Sequence, residues 1–432
     1  MRAEPGAVTI EPASAGSAGL AAYAAFGLPL AMMALPVYVL VPKFYAEATG
    51  LALATIGALL LGTRLLDAFA DPLLGVWVDA QRGPRNTRNA YLRPIFVAAL
   101  PLTAGFVLLF HPPQSSAAVA AVWLGVTLLA AYLGYSLASI AYQAWGAGLA
   151  HEDAGRARVT AAREGAGLVG VIVASVVPVA FGVTALVLLF ATALAATLAL
   201  LALRAPRANA SAWAPARAHL LRRIAAPLAA SRFRWLLAVF VLNGIAAAIP
   251  ATLVLFFVAD RLAPPGYEGL FLALYFVAGA ASMLLWARLA RRFSLPLVWL
   301  LGMLAAVAAF VWAYWLGAGD LLPFAAICLL SGLALGADLA LPPALLARVI
   351  DDGGDGGRRE GAYFGLWNFV NKLNLALAAG VALPLLQWLG YTPGDRGEDA
   401  LAALSASYAL LPSALKLAAA TVLLIAWRGR RF

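Results

Sequence analysis

The sequence predicts an all-α polytopic membrane protein with about twelve transmembrane helices. Of its 432 residues, 64% are hydrophobic and only 12% are charged, where a soluble domain carries about 25% charged residues. Apolar runs of about 20 residues, the length that crosses a hydrocarbon core, recur along the whole chain, and the mean hydropathy is +0.89. The alternating ten-residue segments of an outer-membrane barrel are absent. A formal charge of +10 would suggest nucleic acid in a soluble protein. Here it reflects basic loops, and no nucleic-acid partner is expected. The single cysteine, Cys328, excludes a disulfide framework or a cysteine metal site. The N-terminal stretch, with Glu4 and Glu11 before the first apolar run, reads as a short tail and not a cleavable signal peptide.

In chain order, apolar runs between charged or Pro/Gly punctuation give spans at 18–42, 50–78, 93–110, 117–149, 161–181 and 184–203. A second set follows at 233–259, 268–287, 295–316, 321–347, 362–389 and 402–427. The longest polar interruption separates the sets, so the expected organisation is a six-helix half at 1–203, a linker at 204–232 and a six-helix half at 233–432. Basic residues fix the expected orientation. Arg82, Arg85, Arg88 and Arg93, then Arg156, Arg158 and Arg163, and the linker arginines all fall on the side of the termini; the other side has only Lys43, Arg261 and Arg396. By the positive-inside rule both termini are cytoplasmic, in a multi-pass protein of the cell inner membrane. Two six-span halves joined by a basic linker are the outline of a major-facilitator transporter, a fold that binds substrate between the halves.

Few ionisable residues remain inside spans: Arg64, Asp67 and Asp71 in the second, Asp338 in the tenth, Lys372 in the eleventh and Lys416 in the twelfth. Each would cost about 2.5–3.5 kcal/mol alone at a helix centre, so each wants a partner or water. Asp67 and Asp71 are spaced i, i+4 and share one helix face with Arg64. Two carboxylates that close need a cation or proton between them, which makes the pair a candidate cation or proton site, with Arg64 positioning it. Lys372 is the natural counter-charge from the other half. For Arg64 a purely structural ion pair is an equal reading, and Lys416 reads as structural or functional. Asp338 lies just before Pro342 and Pro343, where a functional and a helix-breaking reading stand level.

The stretch "RLLDAFADPLLGVWVDAQRGPRNTRNAYLRP" (64–94) resembles the second helix and following loop of the glycoside–pentoside–hexuronide:cation symporters, the melibiose-permease relatives within the major facilitator superfamily. "YQAWGAGLAHEDAGRARVTAARE" (142–164), "LLARVIDDGGDGGRREGAYFGLWNFVNKL" (345–373) and "LGYTPG" (389–394) agree. The resemblance implies the major facilitator fold and cation-coupled symport of a small glycoside or sugar derivative. It places Asp67 and Asp71 at the cation-binding carboxylates, Ser136 at a hydroxyl cation ligand and Lys372 at the family's eleventh-helix lysine. Departures accompany it. Ala70 replaces the amide that precedes the second aspartate in sodium-using members, which favours H⁺ over Na⁺ as coupling ion. Ala31 and Ser139 stand where the sugar carriers have acids in the first and fourth helices. Arg348 replaces the usual acid of the tenth-helix motif.

Other candidate cavity residues are Tyr142, Gln143, Trp145, Trp367, Asn368 and Asn371, together with Asp338; interhelical hydrogen bonds and interfacial aromatic belts are the competing reading. "GVWVDAQRGPR" (75–85) resembles the superfamily's gating loop, with Gly75 for close helix contact and Asp79 and Arg82 as latch residues. No HExxH, GxSxG or P-loop occurs, so neither an enzyme nor an ATP-driven pump is expected, and no cofactor beyond the coupling ion. The expected partners are a small-molecule substrate, a coupling cation and membrane lipid, with the chain acting as a monomer. Because Ala31 and Ser139 leave the first and fourth helices without an acid, a transporter or flippase of a lipid-like amphiphile is the alternative. A non-transporting sensor or scaffold is a third.

Overall fold

The computed structural model describes residues 17–81, 87–113, 115–150, 152–204, 206, 220–262, 267–391 and 396–431. A short helix, Ser17–Ala25, leads into twelve long ones. The first six are α1 Gly27–Thr49, α2 Leu53–Ala80, α3 Thr87–Leu109, α4 Ala117–Ala147, α5 Asp153–Phe181 and α6 Val183–Arg204. The second six are α7 Ser231–Phe256, α8 Glu268–Leu289, α9 Leu295–Phe310, α10 Leu321–Asp352, α11 Glu360–Trp388 and α12 Leu411–Arg428. Single turns of other pitch extend α7 and α9 and precede α12. Among the described residues, nine helices are long and apolar enough to cross a membrane by length and composition. Helix α2 is as long as these but carries Arg64, Asp67 and Asp71 inside its apolar run. Local chemistry sets the ends: Gly50 takes a left-handed φ of 68° to stop α1, and the Ser116 hydroxyl accepts from Val119 N to start α4.

Two spans run further than their apolar stretch. Helix α5 starts at Asp153, not near 161, and α10 continues to Asp352, through Pro342 and Pro343. The charged first turns of α5 and last turns of α10 extend beyond the apolar region, where hydropathy gives no sign of helix. The expected linker holds a ten-residue helix, Leu220–Ala229, packed on α2, α7 and α11, with Arg223 Nη2 donating to Val76 O at 3.2 Å. Arg82 of the expected gating loop, with residues 1–16 and 207–219, lies outside the described residues.

Among the described residues twelve long helices alternate in direction, so the start of α1 and the end of α12 lie at one end of the bundle, called the terminal side. Helix α2 packs on α11 and α5 on α8 and α10. The backbones of α2 and α11 touch. A Cβ built at Gly75 would collide with the Gly361 carbonyl oxygen, and one at Gly365 would stand 2.6 Å from Asp71 O. Such small-residue contacts are how membrane helices gain close packing without a hydrophobic driving force. At the terminal end of α2, Asp79 accepts from Gly361 N and Ala362 N, each at 2.8 Å, so its carboxylate caps the first turn of α11. Beside it, Arg156 meets Asp351 at 2.6 Å and Arg348 meets Asp153 at 2.8 Å, two ion pairs between α5 and α10.

The second half has its own buried polar centre. Lys416 Nζ lies 2.6 Å from Asp338 Oδ2 and donates to Asn243 Oδ1 at 2.9 Å. Asn243 Nδ2 and Trp299 Nε1 donate to Asp338 Oδ1 at 3.2 and 3.0 Å. The four residues come from α7, α9, α10 and α12, so one carboxylate ties four helices. Removing one partner of such a pair strands a buried charge. Asp338→Leu is expected to lower stability by about 3–5 kcal/mol, and Asp338→Leu with Lys416→Met to recover most of the loss. Unfolding in detergent measures both; additive losses in the double variant would remove the coupling.

Candidate functional site

The i, i+4 spacing of Asp67 and Asp71 turns both toward α11, and both are fully buried. Lys372 of α11 reaches across from the other half, its Nζ 2.7 Å from Asp67 Oδ2 and 2.6 Å from Asp71 Oδ2. From α4, the Ser136 hydroxyl donates to Asp67 Oδ1 and accepts from Lys372 at 2.8 Å. Arg64 stands 3.4 Å from Asp67 Oδ2, its guanidinium 5.1 Å from the centre of the Tyr132 ring. The two carboxylates are held unequally. Asp67 takes Lys372, Ser136 and Arg64, whereas Asp71 takes the Lys372 ion pair, and neither of its oxygens accepts a hydrogen bond of good geometry. Two cations and two carboxylates thus form a neutral cluster across the interface of the halves. Its oxygens are of the kind that bind a proton or a hard cation.

Lys372 and Ser136 also line a cavity of about 270 Å³ between the halves. The expected residues Tyr142, Gln143, Asp338, Trp367, Asn368 and Asn371 line it too, as does Arg64. Gln143 Nε2 donates to Asn368 Oδ1 at 3.3 Å, linking α4 to α11 across its wall. Trp367 stacks on Phe240 at 3.5 Å between ring centroids. The Tyr142 hydroxyl is already engaged, donating to Tyr23 O at 2.7 Å. Trp145 is a correction. It is fully buried, stacks on Tyr91 and donates Nε1 to Pro206 O at 3.1 Å, so it packs the first half and does not face the cavity. Asn374 points the other way, its Nδ2 3.4 Å from Phe240 O.

Ala31 and Ser139 do face the cavity, and neither carries an acid. The wall nevertheless has a carboxylate that sequence reasoning missed: Glu164 of α5, next to Arg163. Arg163 donates to Glu164 Oε1 from Nε at 2.9 Å and from Nη2 at 2.6 Å. Arg163 reads from the sequence as a basic loop residue. Because α5 starts at Asp153, it lies ten residues, about 15 Å, inside the helix. The extension of α5 is what carries the pair from the terminal side into the cavity. An Arg–Glu dipeptide beside a charged segment carries no sequence signal that sets it apart from the loop.

A family model described as MFS/sugar transport protein matches residues 17–426. A relative from Escherichia coli K12, "Putative glycoside/cation symporter YagG", is 35% identical over 104 residues, 24% of this chain and 22% of that protein. An isoprimeverose transporter of Lactiplantibacillus pentosus is 33% identical over 98 residues, 22% of this chain and 20% of its own length. The matched stretches thus span about a fifth of these curated relatives. Among solved structures, a bacterial homologue of the iron transporter ferroportin in its outward-facing state superposes with a TM-score of 0.71 at 17% identity, covering 94% of this chain and 98% of that one. The E. coli fucose:proton symporter FucP (N162A) gives 0.67 at 14% identity, with 93% and 98% covered. These two likenesses speak for the fold. With a match that runs through both halves, the chain belongs to the MFS/sugar transport protein family.

Proposed function

We propose that this protein is a cation-coupled symporter that moves a small glycoside or sugar derivative by alternating access. The observation that carries the reading is Lys372, which closes two buried carboxylates of the opposite half and at the same time lines the cavity. A proton or cation that takes over as counter-charge releases Lys372, and with it a bond between the halves. Substrate in the cavity meets the same ammonium. Asp71 is the more weakly held carboxylate and so the one that accepts the coupling ion first, while Asp67 and Ser136 complete its oxygen shell. The absence of an amide at Ala70 favours H⁺ over Na⁺, which needs several oxygens. The glycoside/cation symporter and isoprimeverose transporter names support this substrate class.

In this reading the six-helix halves, 1–203 and 233–432, rock about the linker at 204–232, with both termini in the cytoplasm. Asp79 on the first turn of α11, the Gly75 contact and the α5–α10 ion pairs form the cytoplasmic latch, and Arg82 belongs to the same loop. Cavity and coupling cluster are complete within one chain, so a monomer suffices. A lipid-like substrate is the second reading, favoured by an apolar cavity of about 140 Å³ within the second half. Phe271, Tyr275, Phe310 and Tyr408 line it, and it shares Asp338 with the central cavity.

Protein in liposomes, given a panel of isoprimeverose, methyl glycosides and lysolipids under separate pH and Na⁺ gradients, distinguishes the readings. The expected result is gradient-driven glycoside accumulation that Asp71→Asn abolishes, with glycoside binding kept within severalfold. Lysolipid movement without glycoside uptake would select the second reading, and no transport at all the sensor or scaffold. For the latch, Asp79→Ala removes the acceptor of two backbone N–H groups. A cysteine placed at Asn368 in a Cys328→Ala background should then be alkylated severalfold faster from the terminal side. An unchanged rate would mean that Asp79 does not hold that side shut.

A further inference from the structure

Four carboxylates surround the central cavity or abut it, and they differ in what they have left to offer. Asp67 and Asp71 are buried behind Lys372 and do not line the cavity. Asp338 already accepts from Trp299 and Asn243 on one oxygen and pairs with Lys416 on the other. Glu164 is different. Both of its hydrogen bonds from Arg163 arrive at Oε1. Among the described residues no donor is found at Oε2, and the side chain is 31% exposed in a wall where Arg163 is 8% exposed. A carboxylate oxygen accepts from hydroxyls with charge-assisted strength, about twice that of a neutral pair.

The cations of the wall point to the same class of ligand. Arg64 and Lys372 face Asp67 and Asp71, and Arg163 faces Glu164. Among the described residues lining the cavity, each guanidinium or ammonium stands beside a carboxylate in this arrangement, and the cation nearest to Glu164 is already its own partner, Arg163. The same cavity is lined by the amides of Gln143, Asn368 and Asn371 and the aromatic Trp367, groups that suit a neutral, hydroxyl-bearing ring. Ala31 and Ser139, on two other helices of the same wall, provide no competing acid.

We infer that Glu164 is the specificity-determining acceptor of the cavity: Arg163 fixes its Oε1, and Oε2 takes hydroxyl hydrogen bonds from a neutral glycoside, excluding sugar acids. The inference deepens the glycoside reading and rests on it. Full-length protein in nanodiscs is titrated calorimetrically with isoprimeverose, methyl β-D-glucoside, methyl β-D-galactoside and methyl α-D-xyloside, then with the monodeoxy series and the uronic-acid analogue of the tightest binder. Wild-type protein is expected to lose at least tenfold in affinity for one particular deoxy analogue and for the uronic acid. Glu164→Gln should weaken the parent glycoside at least tenfold and erase the penalty of that one missing hydroxyl while leaving the others. A general packing defect would not produce that pattern. Glu164→Asp keeps the charge for Arg163 but withdraws the carboxylate by one methylene, so it should flatten the same position even if the glutamine variant folds poorly. Parent affinity within twofold of wild type in the variants, an unchanged deoxy profile, or tighter binding of the uronic acid would each overturn the role of Glu164. If wild-type protein binds none of the neutral glycosides, the substrate reading itself falls, and this assignment with it.

Discussion

The Lys372 ammonium held between Asp67 and Asp71 is the interaction on which the rest of this structure depends. Each of these charges alone would oppose burial by about 2.5–3.5 kcal/mol at a helix centre. Two aspartates on one face of α2 would also repel each other. One ammonium from the opposite half removes both penalties, provided α2 and α11 approach to ion-pair distance. That approach is what Gly75, Gly361 and Gly365 permit, since a methyl group at any of them would strike the facing backbone. The same approach brings the first turn of α11 to Asp79 and sets one wall of the cavity.

A second lysine–aspartate pair shows why location matters more than ingredients. Lys416 and Asp338 repeat the chemistry of a buried ammonium on a carboxylate, with Asn243 and Trp299 donating to the oxygen that Lys416 leaves. All four residues belong to one half, and both oxygens of the Asp338 carboxylate are engaged. Such a network has one arrangement and ties helices together. The first cluster spans two bodies, and one of its carboxylates, Asp71, is held by a single ion pair. A bond between bodies with an incompletely satisfied partner is one that a competing cation can break, which gives a two-state element something to switch.

The fold was legible in the sequence because the hydrocarbon core imposes a length on every crossing, and apolar runs of that length are hard to hide. The coupling candidates were legible for the converse reason. Charges at Asp67, Asp71 and Lys372 stand out against an apolar background, and i, i+4 spacing states that two of them share a face. What escaped were features at the edge of that background. The helical extension of α5 over Asp153 to Arg163 looks like a basic loop, since hydropathy reports the solvent around a segment and not its hydrogen bonding. Trp145 erred the other way: an aromatic at membrane depth on α4 lay one face away from the cavity, and only packing against Tyr91 and the reach to Pro206 O decide its direction.

The position of Glu164 follows from the same electrostatics. An acid on α4 at position 139 would lie three residues from Ser136, about 5–6 Å away on the same face, and Ser136 already donates to Asp67. A third carboxylate there would draw on the donors that hold the aspartates, so that substrate binding and ion binding would compete for one set of hydrogen bonds. On α5 the carboxylate comes with its own guanidinium, Arg163, bonded at 2.6 and 2.9 Å. The pair is neutral as a unit and adds no net charge to the cluster around Lys372. Placing the carboxylate on α5 therefore keeps it apart from the two aspartates that Lys372 holds. Glu164 and the cluster meet only at the cavity, with Lys372 lining it on one side and bonded to the aspartates on the other.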